Sequence, residues 1–338
     1  MKNVAINGLG RIGRLALRQY IENPPQNIRL TTANASTPME DLAYLMKYDS
    51  VHGKTPFPVS LGPDFLTLGS HRIDIVNSRD PALIPWKKHD IDIVLECTGV
   101  FTRRNDAAKH LQAGAEKVII SAPAADADAT FVMGVNEKTF DPKKHHVVSN
   151  ASCTTNSISP VAKVLNDAFG IEYLMMTTVH AYTSSQAIVD KAAHKKRRGR
   201  SAAVSIIPAT TGAAEATVQT IPALKDKMHA IAIRVPVADG SITDIVAHLG
   251  RAVTPQDVNA TLKKAAENEL KGILEYCEDE LVSADIIGNT HSAIVDATST
   301  AVIGKNVVKV MVWYDNEWGY ARRLLDLASY MAGRMESS

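Results

Sequence analysis

Two residues of this chain have the type and setting for nucleophilic chemistry. Cys153 lies in Ser149-Asn150-Ala151-Ser152-Cys153-Thr154-Thr155-Asn156, a run of capping residues placed where a helical spacing of apolar residues begins. A sulfur in the first turn of a helix gains from the dipole and from unpaired N–H groups, which lower the thiol pKa and sharpen the nucleophile. The alternative is an inert, packed thiol, the common state of a free cysteine. A thiol nucleophile also needs a base. His180 ends the strand-like run Thr177-Thr178-Val179-His180-Ala181-Tyr182-Thr183 among polar groups. With an ordinary pKa of about 6.5, an imidazole there can hold a thiolate as an ion pair and later accept a substrate proton, although a histidine at a strand end can equally be structural. Cys97, inside Val94-Leu95-Glu96-Cys97-Thr98, reads as packing, and Cys277 has no organised partner. His145-His146 lacks acids or thiols at ligand spacing, so no metal is expected.

A second constellation is Gly8-Leu9-Gly10-Arg11-Ile12-Gly13, one residue after an expected strand and at the mouth of an expected helix. Glycines there allow a tight turn and the close approach of a pyrophosphate to backbone N–H groups. The pattern predicts a dinucleotide site, against the plainer reading of a simple turn. About 20 residues further on, such motifs usually carry an acid that holds the adenosine 2′-hydroxyl. Here the stretch is Thr31-Thr32-Ala33-Asn34-Ala35-Ser36-Thr37, with no acid in it. A carboxylate would repel a 2′-phosphate, so its absence predicts a site that takes NADP beside or ahead of NAD. The run His194-Lys195-Lys196-Arg197-Arg198-Gly199-Arg200 reads as a solvated face, a nucleic-acid patch or a phosphate site.

The elements that must position these groups fall into two rhythms. Up to about residue 150, short apolar runs alternate with helical patterns: Asn3–Asn7, Arg11–Asn23, Ile28–Ala33, Met39–Tyr48, Ile91–Gly99, Asn105–Gly114 and Val118–Ser121. Continuous rather than alternating apolar runs suit strands covered on both faces, and the order suits βαβ units. Loop signals crowd Lys54–Gly69. Beyond that point a helix is expected over Ser152–Phe169, then strands over Tyr173–Thr183, His229–Val237, Ser241–Leu249, Ser292–Ile303 and Val307–Tyr314. Thr254-Pro255 opens a helix over Gln256–Lys271 that Gly272 stops, and a last amphipathic helix covers Trp318–Met335. The expectation is an α/β protein: a Rossmann-type doubly wound parallel sheet in a dinucleotide-binding domain over residues 1–151, joined by a C-terminal helix at 317–338, and an α+β catalytic domain over 152–316 with a mainly antiparallel sheet.

Composition narrows the classes. The 338 residues, 45% hydrophobic and 22% charged, have the proportions of a two-domain globular protein rather than a disordered or fibrous one. Thirty-seven basic against 36 acidic side chains leave a net charge of +1, so no bulk field favours nucleic acid or a membrane, and anion binding must be local. Three widely spaced cysteines without a CxxC pair argue against a disulfide framework, as in a reducing cytoplasm. Met1-Lys2-Asn3 runs straight into Val4-Ala5-Ile6 without the basic segment of a signal peptide, and no run reaches the length of a membrane span. A cytoplasmic protein is expected.

Taken in order, Ile6–Arg14, Lys47-Tyr48-Asp49-Ser50-Val51-His52-Gly53, Ser149–Asn156, Thr210-Thr211-Gly212-Ala213-Ala214, Ile233-Arg234-Val235-Pro236 and Trp313–Tyr320 resemble the phosphorylating glyceraldehyde-3-phosphate dehydrogenases over essentially the whole chain. The resemblance implies attack of Cys153 on an aldehyde, His180 as the base, hydride transfer to nicotinamide, and release of the resulting thioester by inorganic phosphate as an acyl phosphate. It places the substrate phosphate at Thr183 and Arg234, and the attacking phosphate at Ser152, Thr154, Arg198, Thr211 and Gly212. It lays the cofactor along Gly8, Gly10, Arg11, Ile12, Gly13, Asn34, Ala35, Ser36, Arg79, Thr98, Ser121 and Tyr320, with Asn316 orienting the nicotinamide amide, and it implies a homotetramer.

The departures from the family pattern are informative. Ala35 stands where NAD-specific members usually have Asp, and Lys191-Ala192 where they have Leu-Pro; both make room for or attract a 2′-phosphate, so Lys191 joins the expected cofactor contacts. Ser185 replaces a frequent Asp and Glu215 a frequent Lys. Pro85-Trp86 and His291–Asp296 are shared with a branch that oxidises erythrose 4-phosphate, whereas Tyr182-Thr183 and Thr211-Gly212 favour the triose substrate. A non-catalytic binding protein built on the same fold is the remaining alternative, and intact Cys153, His180 and Arg234 argue against it.

Overall fold

A computed structural model of the chain describes residues 1–335. It divides into two compact units, Met1–Ser152 with the stretch from Tyr320 onward, and Cys153–Gly319.

The first unit is built on nine strands. It runs β1 (Lys2–Asn7), α1 (Arg11–Glu22), β2 (Ile28–Asn34), α2 (Met39–Lys47), β3 (Val59–Leu61), β4 (Phe65–Leu68), β5 (His71–Val76), β6 (Ile93–Glu96), α3 (Arg104–Ala107), α4 (Lys109–Gln112), β7 (Lys117–Ile120), β8 (Ala129–Thr130) and β9 (Val147–Ser149). The sheet order is β3-β4-β5-β2-β1-β6-β7-β9-β8, parallel throughout except for the antiparallel arm β3-β4-β5. Strands β6 and β7 are buried at every position, which is why Ile93-Val94-Leu95 and Val118-Ile119-Ile120 run apolar without alternation. Order reverses at β1, flanked by β2 and β6, the place where open α/β sheets bind ligands beyond the strands' carboxyl ends. Two expectations are corrected here. Lys54–Gly69 is no mere loop but contains β3 and β4, short strands at the sheet edge that tolerate the local prolines. The helix expected over Asn105–Gly114 is two single-turn pieces, α3 and α4.

The second unit runs α5 (Cys153–Phe169), β10 (Ile171–Ala181), β11 (Ile207–Ala209), α6 (Ala213–Thr220), β12 (Met228–Val235), β13 (Ser241–Leu249), α7 (Pro255–Glu267), β14 (Leu274–Cys277), β15 (Ala293–Ile303) and β16 (Val307–Tyr314), and α8 (Trp318–Ala332) then leads the chain back into the first unit. Its seven strands lie in the order β11-β12-β10-β13-β16-β15-β14. Pairing is antiparallel except for β10 with β12 and β14 with β15. Helix α7 starts as expected, with Thr254 and Asp257 forming a reciprocal capping box. It stops at Glu267, short of Lys271, because the Asn268 side chain donates to the Lys264 carbonyl at 2.7 Å and ends the ladder. The terminal helix ends at Ala332; residues 336–338 of its expected span lie outside the described residues.

Candidate active site

Helix α5 opens with Cys153 at its first position, so the sulfur sits at the helix mouth as the capping residues require. Two residues before it, Ala151 has φ of 55°, a left-handed conformation that costs an alanine about 1 kcal/mol. Its N–H donates to Ser149 Oγ at 3.0 Å and its carbonyl accepts from the Tyr320 hydroxyl at 3.0 Å, which fixes the turn. Buried Tyr320 is therefore committed to this turn through its hydroxyl.

Strand β10 supplies the candidate base. His180 Nε2 lies 3.4 Å from Cys153 Sγ. On the other side of the ring, Nδ1 is 2.6 Å from the Ala181 carbonyl oxygen and 2.7 Å from Arg234 Nη1, which itself donates to that carbonyl at 3.0 Å. We assign the ring proton to Nδ1, toward the carbonyl at the shorter contact; Nε2 is then bare and facing the sulfur, the tautomer that accepts a proton. Burial, reinforced by the positive Arg234, holds His180 down at about 3. Cys153 keeps some exposure, yet its surroundings push the thiol up: desolvation does most, opposed by Arg234 and by the hydroxyl and backbone N–H of Thr154, with Asp239 adding to the rise. Desolvation thus disfavours the charged form of both groups, and with it the thiolate–imidazolium pair expected from the helix mouth.

Anion-binding groups surround this pair. The Nε atoms of Arg198 and Arg234 are each buried without a hydrogen-bond partner, an arrangement that suits an incoming oxyanion. Arg198 Nη1 donates to Ser185 Oγ at 2.8 Å, and Ser185 meets the Thr183 hydroxyl at 2.8 Å, so two residues expected at different phosphates share one small polar cluster. Thr211 and Gly212 precede α6, where the Thr211 hydroxyl accepts from Ala213 N at 3.2 Å. The expected ligand Thr154 is buried, and its hydroxyl is engaged by Tyr314 Oη at 3.0 Å. Asn316 is also preset: its Oδ1 accepts from Ser241 Oγ at 2.6 Å, and Ser241 Oγ accepts from Ala181 N at 3.1 Å, which leaves the Asn316 amide N–H groups to be donated elsewhere.

In the first unit the glycines line a cleft of about 520 Å³ whose wall includes Gly8, Gly10, Asn34, Ala35, Ser36, Arg79 and Thr98. A Cβ on Gly8 would strike Thr98 at 2.8 Å, and one on Gly13 would lie 2.1 Å from the Gly8 carbonyl oxygen, whereas Gly10 faces open space. The cradle therefore fits a pyrophosphate drawn against bare backbone. Asn34 clamps the neighbouring loop, donating to Ser78 O and accepting from Ser78 N, each at 2.8 Å. The Arg11 side chain pairs with Asp49, so its contribution to the cradle is its place at the start of α1. Ser121 follows β7 with its N–H on the Glu96 carbonyl, Ile12 lies on α1 between Arg11 and Gly13, and Lys191 is exposed on the loop before Gly199. Cys97 is inert, since burial and neighbouring Glu96 push its thiol up.

Sequence reasoning missed Tyr314 and Thr178. The available signal was spacing: Thr178 and His180 are two apart on a strand, hence on one face.

The chain is similar to known proteins over nearly its whole length. Family models described as the NAD binding domain and the C-terminal domain of glyceraldehyde 3-phosphate dehydrogenase match residues 2–104 and 152–316. A glyceraldehyde-3-phosphate dehydrogenase of Geobacillus stearothermophilus is 53% identical over 331 residues, 98% of each chain. Two from Bacillus subtilis are similar as well: number 1 at 52%, covering 97% of this chain and 98% of its own, and number 2 at 47%, covering 98% and 97%.

Proposed function

The chain belongs to the glyceraldehyde-3-phosphate dehydrogenase family, and from that premise we propose that it catalyses the reversible phosphorylating oxidation of glyceraldehyde 3-phosphate to 1,3-bisphosphoglycerate. The observation that carries this reading is the 3.4 Å approach of Cys153 Sγ to His180 Nε2 beside two guanidinium groups with unused donors. His180 Nε2 takes the thiol proton as the sulfur attacks the aldehyde carbon, and returns it to the carbonyl oxygen of the hemithioacetal. The same nitrogen then removes the hydroxyl proton as the carbon loses its hydride, which leaves an acyl thioester on Cys153. An oxygen of inorganic phosphate attacks that thioester, the carbon–sulfur bond breaks, and the acyl phosphate departs from a regenerated thiolate. Thr183 and Arg234 suit the substrate phosphate, and Ser152, Arg198, Thr211 and Gly212 the attacking one.

The Gly8–Gly13 cradle, Thr98 and Arg79 would hold a nicotinamide dinucleotide, with Asn316 donating to its carboxamide; when bound, it supplies the hydride acceptor. The family model supports NAD. The carboxylate-free wall at Asn34, Ala35 and Ser36, with Arg79 nearby, favours acceptance of NADP as well. An apolar strip, Tyr173, Met175, Ile231 and Val246, is exposed on adjacent strands of the second sheet and supports assembly into a homotetramer. No helix among the described residues is long and apolar enough to cross a membrane, and the free thiols fit a cytoplasmic setting.

Initial rates with triose and tetrose phosphates, each with NAD and NADP and with or without inorganic phosphate, test the reading. Phosphate-dependent oxidation of the triose that disappears on stoichiometric alkylation of Cys153 is expected. Undiminished activity after alkylation would overturn the covalent mechanism.

A further inference from the structure

Tyr314 ends β16 with its side chain buried, and its hydroxyl bridges two elements of the reacting centre. It lies 3.0 Å from Thr154 Oγ1, in the first turn of α5, and 2.8 Å from Thr178 Oγ1, on β10 two residues before His180. Its ring stands edge-on to the His180 imidazole, with centroids 6.0 Å apart and planes at 78°. The Thr154 side chain in turn acts on the Cys153 thiol, lowering its pKa against the effect of burial.

We propose that Tyr314 is a positioning residue for the nucleophile, its hydroxyl turning the Thr154 hydroxyl toward Cys153 Sγ and its ring setting the plane of His180. The inference rests on Cys153 being the nucleophile. The argument is one of donor accounting. Each of the three hydroxyls has one proton to give. For Thr154 to donate to sulfur it must accept from Tyr314, and Tyr314 must then accept from Thr178. The chain therefore runs in one direction, Thr178 to Tyr314 to Thr154 to sulfur. The reverse order spends the Thr154 proton on Tyr314 and leaves the sulfur without it. Negative charge on sulfur selects the first order, so the network favours the thiolate over the thiol, with each link polarised by the next. Burial and neighbouring Cys153 push the Tyr314 hydroxyl up, so it keeps a proton to donate. The other charged or titratable groups facing the sulfur are Arg234, His180 and Asp239. None of these duplicates the Thr154 donation.

The test is the pH dependence of Cys153 alkylation by iodoacetamide, read beside steady-state kinetics of the full-length enzyme. Tyr314→Phe keeps the ring and removes the hydroxyl. The expected result is a rise of about half a unit in the alkylation midpoint and a fall of about fivefold in kcat, with little change in KM for the aldehyde. Thr178→Val should move both in the same direction by less, and it decides the matter if the Phe variant does not fold. In a Thr154→Val background the Tyr314→Phe change should add almost nothing, because the path through Thr154 is already cut. Parent-like midpoints and kcat in folded Tyr314→Phe and Thr178→Val would overturn the proposal while leaving the nucleophile in place. Activity surviving full alkylation of the parent would remove the nucleophile itself, a distinct outcome read before any variant is made.

Discussion

The reacting cluster in the second unit and the glycine cradle in the first solve opposite problems. Around Cys153 the polar groups are mainly side chains, and several are held in place by a neighbour: His180 by the Ala181 carbonyl, Thr154 by Tyr314, Asn316 by Ser241. Low local dielectric makes such contacts strong and makes any unpaired member costly. The cradle at Gly8–Gly13 presents backbone rather than side chains, and its requirement is the absence of atoms, as the clash of a Cβ at Gly8 or Gly13 shows. Chemistry at an atom needs oriented donors and acceptors, whereas recognition of a diphosphate needs surface left bare. The first should therefore be fragile to the loss of one hydrogen-bonding atom and the second mainly to added bulk or charge.

His180→Asn probes the fragile side most severely. It keeps a polar side chain at the strand end but removes the proposed base, and kcat should fall by about 10²–10⁴-fold. Cofactor affinity should stay within about twofold of the parent, since the cradle is built from other residues. Measured kcat and cofactor dissociation constants decide it. A kcat within tenfold of the parent would mean that another base serves the thiol.

Legibility in the sequence follows the same division. The cradle was readable because its glycines are adjacent in sequence and each answers a local steric demand. The place of Cys153 at a helix mouth was readable from the capping residues around it, and the parallel sheet from unbroken apolar runs such as Ile93–Leu95. The strands β3 and β4 were hidden by Pro56, Pro58 and Pro63, which an edge tolerates. Tyr314 escaped because its value comes from meeting Thr154 and Thr178, residues 160 and 136 positions away. The direction of the thiol shift escaped too, since helix-mouth stabilisation is a local property and desolvation belongs to the folded unit.

Adding charge to the bare side gives a smaller effect. Ala35 lines the cleft that holds the glycines. Ala35→Asp should place a carboxylate where a 2′-phosphate would sit, shifting the ratio of kcat/KM for NAD over NADP toward NAD by about tenfold. Cys153 alkylation should keep its parental rate. An unchanged cofactor ratio would remove Ala35 from the recognition of the ribose.

The cradle also depends on one anionic residue outside its wall. Asp49, in the loop after α2, pairs with Arg11 at the start of α1 and accepts from the backbone N–H groups of Val51 and His52 at 2.9 Å each. Burial alone would raise its pKa, but hydrogen bonds from His52, Arg11 and Val51 outweigh that and hold the carboxyl well below the usual carboxylate range. A folded-state pKa depressed in this way contributes stability above the unfolded value of about 3.9, and the contribution is lost as pH falls below it toward the folded value. Asp49→Asn should therefore cost about 1 kcal/mol at pH 7. Thermal unfolding midpoints of parent and variant should differ by a constant amount from pH 7 to pH 5 and converge below pH 4. A gap that persists unchanged into acid would mean that the loop is held by shape rather than by charge, and the cradle would then match the indifference to ionisation expected of a site made of backbone.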